Sequence, residues 1–365
     1  MIRRAWLTID TCALRHNLGV ARDAAGNRSI FAAVKADGYG HGLLTAARAF
    51  SRAGVDGLAV ATPGEGLALR EAGLSERILV LQGALTVEEL ELALRHSLDL
   101  VFHDLTQLDL LDRHADHLPA GRLRVWIKVD TGMHRAGFIP EQVPVARARL
   151  AQCPVVDAGI GLMTHFARAD EPDPSVTERQ IEVFHTTAEG WPGETSLCNS
   201  AALLGNSEAG GDWVRPGIML YGGNPFIFGQ AAQYRLQAAM ELKTVLVAKR
   251  LVARGCEVGY GGRFVAPETM PVGLASVGYG DGYPRHAPDG TPILVNGQRS
   301  CIIGRVSMDL VTVDLRGVDA CVGDEVECWG RGLPIDEVAR AAGTISYDLM
   351  CQVSGQLRAE ARIID

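Results

Sequence analysis

What the chain has little of narrows its function before any motif is read. The eight cysteines, Cys12, Cys153, Cys198, Cys256, Cys301, Cys321, Cys328 and Cys351, include no C-x-x-C pair. That scatter suits neither a zinc site nor a small disulfide scaffold, so free thiols in a reducing cytoplasm are expected. No stretch approaches the roughly 20 apolar residues that cross a bilayer. Asp10 and Arg15 interrupt the N-terminal segment before a signal-like core forms, so neither export nor membrane insertion is expected. Basic residues are not in excess: the net charge of -8 at pH 7 disfavours nucleic acid, whose phosphates select lysine and arginine. There is no low-complexity tract and no repeat beyond the short units described next.

What is present is a long apolar chain with a change of pattern. At roughly 150 residues per domain, 365 residues predict about two domains. Eight short apolar runs alternate with helical patterns from Ile30 to Gly222: "SIFAAVK", "GLAVA", "RILVLQ", "LDLVFH", "RLRVWIKVD", "IGLMTHFA", "TSLCN" and "WVRPGIMLYG". Between them, "TVEELELALRHSL" offers Thr86 and Glu89 as a capping box. Eight βα units close naturally into a (β/α)8, TIM-like barrel. After about Gln237 the runs become β-rich and are separated by glycine, proline and asparagine turns, which predicts an all-β C-terminal domain. The expected division is 1–236 and 237–365, with the strand-like "AWLTID" near the start pairing with the second domain.

Barrel chemistry sits at the carboxyl ends of the strands. There the sequence places Lys35 and Tyr39 after the first run, Lys128, Asp130 and Arg135 after the fifth, and His165 after the sixth. Asn199 and Ser200 follow the seventh, and Arg215 with Gly217 the eighth. Lys35 alone could be a solvated charge, a phosphate clamp or an amine held for covalent chemistry, and Asn199 with Ser200 reads equally as a helix N-cap. Their convergence on one barrel face has no structural purpose, so a functional reading is preferred. Backbone N–H groups near Ser200, Gly217 and Ile218 could cradle a phosphate, whereas "GYGHG" lacks the spacing of a nucleotide-binding loop. A lysine plus a phosphate cradle suggests pyridoxal phosphate held as a Schiff base.

Taken with "VKADGYGHG", "KVDTGMHRAG", "THFARAD", "NSAA", "RPGIMLYG", "VGYGDGYPR", "GRVSMD" and "TISY", the chain resembles the alanine racemase family over nearly its whole length. The resemblance implies a pyridoxal phosphate enzyme that interconverts L- and D-alanine as a homodimer with shared active sites, for peptidoglycan synthesis or for alanine catabolism. Lys35 matches the lysine that carries the cofactor and acts as base on one face of the substrate. Tyr279 matches the tyrosine acting on the opposite face, reaching the cofactor of the partner subunit. Arg215 matches the arginine on the cofactor's pyridine nitrogen, where a group with donors only cannot protonate that nitrogen. His165 is expected to bridge Arg215 and Tyr279. Arg135 and the backbone N–H of Met308 are expected to hold the substrate carboxylate. Tyr39, Ser200, Gly217, Ile218 and Tyr347 are expected around the phosphate, with Asn199 beside them. Lys128 matches a position that is N-carboxylated in many members. No metal site is expected.

The departures are Asp37 and Gly38 where asparagine and often alanine stand, Cys198 for a common alanine, and Gly280 for a frequent alanine. None removes a reacting group. Three rivals stand beside this reading: a decarboxylase on the same architecture, which would need the carboxylate free to leave, a non-catalytic cofactor carrier, and a metal hydrolase using "HADH" at His114–His117.

Overall fold

In the computed structural model, which describes residues 4–119, 122–205 and 209–365, both halves of the chain adopt the architecture their patterns predict. Strand β1 (Trp6–Asp10) comes first, and Asp10 ends it by accepting from the Ala13 N–H at 3.0 Å, which caps the helix Thr11–Ala25. Eight strands then close a parallel barrel: β2 (Ser29–Ala33), β3 (Gly57–Val60), β4 (Arg77–Val80), β5 (Asp99–Phe102), β6 (Val125–Lys128), β7 (Gly161–Met163), β8 (Thr195–Ser196) and β9 (Trp213–Val214). These strands are buried on both faces, because helices cover the outside and side chains fill the inside. Most read as short apolar runs for that reason, with Arg77, Asp99 and Thr195–Ser196 among the polar exceptions. The eighth run stops short of expectation. Only Trp213–Val214 is strand, Pro216 breaks the ladder, and Ile218–Tyr221 turns into a 3-10 helix. The predicted helix after β4 spans Val87–Arg95 with Thr86 accepting from the Glu89 N–H, but the Glu89 carboxylate takes the Leu85 N–H instead.

The barrel floor is an aromatic and ionic plug. Phe31 stacks on Trp213 with ring centroids 3.9 Å apart, and the Arg77 guanidinium lies 4.7 Å over the Trp213 ring. A side chain at Gly161 would meet the Trp126 ring at 2.4 Å, so only glycine leaves that ring its place. Asp99, fully buried, accepts from Arg77 at 2.6 Å and from Arg124 at 2.8 Å, while Glu194 accepts from Arg77 at 2.8 Å and from the Trp213 indole at 2.9 Å. All of these groups sit at the amino ends of the strands, opposite the candidate site.

The second half forms β10 (Met240–Val252), β11 (Glu257–Val258), β12 (Phe264–Val265), β13 (Met270–Ala275), β14 (Pro292–Val295), β15 (Gln298–Cys301), β16 (Val311–Asp314), β17 (Glu325–Trp329) and β18 (Arg362–Ile364). The main sheet runs β15-β14-β17-β10-β1-β18, with β13 and β16 joined through β10, and β11 and β12 make a separate hairpin. Strand β1 is antiparallel to β10 and parallel to β18; residues 1–3 of the expected pairing segment lie outside the described residues. Three short helices, Ile335–Ala342, Ser346–Gln352 and Gly355–Ala359, follow the sheet. The second and third pack against the carboxyl end of the barrel, where β2 delivers its lysine.

Candidate active site

The chain leaves β2 through an unusual turn. Ala36, Asp37, Gly38 and Tyr39 all have positive φ, at 54°, 54°, 60° and 54°. A left-handed backbone costs roughly 1–2 kcal/mol per ordinary L-residue, so the turn must be held from outside. Gly38 N–H donates to Val34 O at 2.8 Å, Gly42 N–H to Asp37 O at 2.9 Å, and Ala36 N–H to Glu65 Oε1 at 3.1 Å. A β-carbon at Gly40 would lie 2.1 Å from Met350 O, so the turn presses directly on the helix Ser346–Gln352. Aspartate and glycine tolerate this region better than most residues, which accounts for the composition of "ADGYG". The turn sends Lys35 and Tyr39 into one cavity.

That cavity has a volume of about 430 Å³, and among its lining residues are Lys35, Lys128, Arg135, His165 and Arg215. Among the described residues, no aspartate or glutamate lines it. The electrostatics follow. Burial, then the Arg135 charge, pushes the Lys35 amine below its ordinary value. Burial with Arg135 and Arg215 brings Lys128 down to about 8. Burial, then Arg215, holds His165 well below the ordinary imidazole value, so it is neutral at pH 7. Even Arg215 is lowered to about 10, by burial. Its guanidinium donates to neutral oxygens, Ser196 Oγ at 2.5 Å, Leu197 O at 3.3 Å and Thr164 O. Glu65 and Asp130 act on Lys35 and Lys128 from outside the lining, and the excess of cations on the cavity wall favours an anion within it.

Beside this cavity Tyr39 joins a polar cradle formed with Ser200, Gly217 and Tyr347. The Tyr39 ring stacks on Tyr221 at 4.6 Å and approaches Tyr347 at 6.0 Å. Ser200 Oγ accepts from the Gly217 N–H at 2.8 Å and the Met219 N–H at 3.5 Å, leaving the hydroxyl proton to donate. A β-carbon at Gly217 would lie 2.3 Å from the Tyr39 hydroxyl, so glycine there keeps the cradle open. Ile218, next in chain, is fully buried. Asn199 does cap its helix, accepting from the Ala202 N–H at 3.0 Å, and it faces a neighbouring cavity that also contains His165 and Tyr347.

Tyr279 and Met308 are brought to each other but not to Lys35. Tyr279 N–H donates to Ser307 O at 3.1 Å and Gly280 N–H to Met308 O at 2.9 Å. A β-carbon at Gly278 would fall 2.2 Å from Met308 O, which explains the glycine before the tyrosine. Neither residue lines the lysine cavity, and both are open to solvent, Tyr279 at 39% and Met308 at 56%. Within one chain His165 therefore shares a cavity with Arg215 and not with Tyr279. Sequence reasoning passed over Tyr260, exposed at 72% between β11 and β12. Its neighbours Gly259, Gly261 and Gly262 all have positive φ, and the Gly261 β-position would lie 3.7 Å from the Arg305 guanidinium carbon. The signal was available, since "GYG" occurs at 259–261 as well as at 278–280. Thr164 and Ser196, which hold Arg215, carried no such signal.

A closed barrel with cations converging at its carboxyl end, a lysine delivered by its first strand and a β domain packed against that end define a barrel enzyme with a cation-lined cavity at the usual catalytic face. Comparison with known proteins narrows the class. Residues 9–225 match the family profile "Alanine racemase, N-terminal domain" and residues 239–361 match "Alanine racemase, C-terminal domain". An alanine racemase of Halorhodospira halophila is 47% identical over 361 residues, covering 99% of this chain and 98% of that protein. A catabolic alanine racemase of Pseudomonas putida is 46% identical over 353 residues, with 96% and 97% covered. The crystal structure of the biosynthetic alanine racemase from Pseudomonas aeruginosa superposes with a TM-score of 0.95 at 43% identity, each chain fully covered. The chain belongs to the alanine racemase family.

Proposed function

We propose that this protein interconverts L- and D-alanine with pyridoxal phosphate, as a homodimer, each protomer being a barrel unit of residues 1–236 and a β unit of residues 237–365. The observation that carries this reading is the cluster of Lys35, Lys128, Arg135 and Arg215 in one cavity with no lining carboxylate. The residues fit the cofactor: Tyr39, Ser200, Gly217, Ile218 and Tyr347 would hold its phosphate, Arg215 its ring nitrogen, and Lys35 its aldehyde carbon. When bound, the cofactor supplies the electron withdrawal that makes the substrate's α-hydrogen acidic. The chain does the rest. Lys35, its amine favoured in the neutral form by burial, takes or returns the α-proton on one face. Arg135 and the Met308 backbone N–H fix the carboxylate. The donor-only guanidinium of Arg215 delivers no proton to the ring nitrogen, which favours return of the proton at the α-carbon. That arrangement also weighs against the decarboxylase, which must release the group that Arg135 holds.

The opposite face needs a second proton carrier, and Tyr279 of the partner subunit fills that place by resemblance. A second reading assigns it to Tyr260 of the partner subunit, favoured by the greater exposure of Tyr260 on a hairpin tip beside Arg305. The test is α-hydrogen exchange in heavy water, followed by chiral chromatography and mass. Wild type is expected to give deuterated D-alanine from L-alanine without release of carbon dioxide. The Tyr→Phe variant of the true carrier should slow exchange from L-alanine by at least about 10²-fold and exchange from D-alanine much less. Equal slowing of both enantiomers by both variants would end the two-base scheme.

Lys128 is proposed to be N-carboxylated, its added negative charge facing Arg135. Carboxylation needs the free amine, whose fraction rises with pH through about 8 at Lys128, whereas an ordinary lysine reaches the same fraction only near 10.4. A carbamate carbon signal should therefore appear in ¹³C NMR when ¹³C-bicarbonate is added near pH 8, and be absent from Lys128→Ala. A signal that persists in that variant would place the modification elsewhere.

A further inference from the structure

The left-handed turn that presents Lys35 is held at its centre by a residue of the β domain. Asp37 has φ 54° and uses both carboxylate oxygens: Oδ1 accepts from the Leu43 N–H at 2.8 Å, and Oδ2 accepts from Arg358 Nη1 at 3.2 Å. Arg358 lies on the helix Gly355–Ala359, whose N-cap Ser354 accepts from the Leu357 N–H at 3.3 Å and whose backbone is tied to Asp281 O at 3.0 Å. The Arg358 Nε is buried with no hydrogen-bond partner among the described residues, so the inner edge of this guanidinium is fixed by packing while its outer edge meets Asp37 at the surface. The preceding helix of the same segment supplies Tyr347 to the phosphate cradle and Met350 O against Gly40. Residues 346–358 thus form a wall for the turn, and Arg358 is the one charged contact from that wall to its midpoint.

We propose that Arg358 is a positioning residue for Lys35. Through Asp37 it keeps Ala36–Tyr39 in the left-handed conformation that aims both Lys35 and Tyr39 into the cavity. The reasoning is conformational. Ala36, Asp37 and Tyr39 each prefer other backbone regions, and the residue immediately before them bears the reacting amine. When the clamp is lost, the turn has room to relax and Lys35 moves with it. A partly exposed ion pair contributes little to global stability, so the effect falls on placement and not on folding. The aspartate that departs from the family's usual asparagine is what makes the contact ionic.

This inference rests on the proposed role of Lys35, and the experiment separates the two. Arg358→Ala, Arg358→Lys and Asp37→Asn are made in the full chain; Asp37→Asn keeps an acceptor for the Leu43 N–H and tolerance of positive φ. Two quantities are read on each: apparent cofactor affinity, by titrating pyridoxal phosphate into the apoprotein, and α-hydrogen exchange of the reconstituted enzyme from D- and L-alanine separately. Expected for Arg358→Ala are an approximately threefold to fivefold weaker cofactor affinity, exchange from D-alanine slowed by a similar factor, no measurable change from L-alanine, and an unchanged melting temperature. Arg358→Lys should recover a substantial part of both losses, and Asp37→Asn should resemble Arg358→Ala. Unchanged affinity and exchange in Arg358→Ala would overturn the proposal, as would equal slowing of both faces with a lower melting temperature. Should the wild type exchange neither enantiomer, the racemase reading fails, while the cofactor titration still decides the clamp.

Discussion

Lys35→Ala is expected to fold, to melt no lower than wild type, and to lose at least about 10³-fold of any alanine racemisation. Stability is spared because the change removes one cation from a cluster of cations, relieving repulsion that already depresses Lys128 and His165. Activity is not spared, because no neighbour can stand in. Arg215 retains its proton across the physiological range, and His165, although neutral, is held by burial among cations that oppose its accepting a proton. Lys128 has a suitable amine but enters from β6, several strands around the barrel from β2. Borohydride reduction followed by peptide mass mapping should attach the cofactor to the Lys35 peptide in wild type and to no peptide in the variant. Racemisation at the wild-type rate by Lys35→Ala would refute the assignment of Lys35.

The second large effect lies at the other end of the barrel. Asp99 is fully buried and is bonded by Arg77 and Arg124, so Asp99→Ala takes the shared carboxylate from both guanidinium groups, leaving Arg77 with Glu194 and Arg124 with water. The lost charge-assisted hydrogen bonds cost about 1–3 kcal/mol, less than the roughly 3–5 kcal/mol of a wholly stranded buried charge, and a urea midpoint shifted correspondingly downward is expected. The double variant Asp99→Leu/Arg77→Met should recover only part of that loss, because Arg124 and Glu194 keep their charges and lose their partners. The catalytic constants of the folded double variant should stay near wild type, since the cluster lies at the amino ends of the strands and the cation cavity at the carboxyl ends. Full recovery by the double variant would mean that the Arg77–Asp99 pair alone, and not the four-residue network, carries the stability.

These two residues differ in how plainly the sequence announces them. Lys35 ends an apolar run and is followed by glycines, so both strand and lysine were legible. Asp99 sits inside an equally apolar run, "LDLVFH", and its partners lie 22 and 25 residues away, a pairing that no local pattern reveals. The same distinction runs through the site. Strand ends placed Lys128, His165 and Arg215 correctly on one face, because a barrel converts chain order into a ring. The left-handed turn was visible only as a taste for aspartate and glycine, and its clamp, 321 residues away, was not visible at all. The β-domain tyrosines were ambiguous for a physical reason: two glycine-flanked tyrosines occupy loops of one domain, and their local sequence does not reveal the exposure and neighbours that distinguish them.

The position of β1 bears on how the chain is made. Its residue Ile9 pairs with Met240 on one side and Ile363 on the other, so about 230 residues must be translated before the first of these partners exists. At about 5–20 residues per second, that is on the order of 10–50 seconds. The barrel itself closes only when β9 (Trp213–Val214) has been made, near the end of that interval, and until then a strand containing Trp6, Leu7 and Ile9 has both edges bare. Ribosome-bound chains of this protein are therefore predicted clients for a chaperone that shields exposed strand edges, and yield in a cell should be governed by how long β1 waits more than by the stability of the finished barrel.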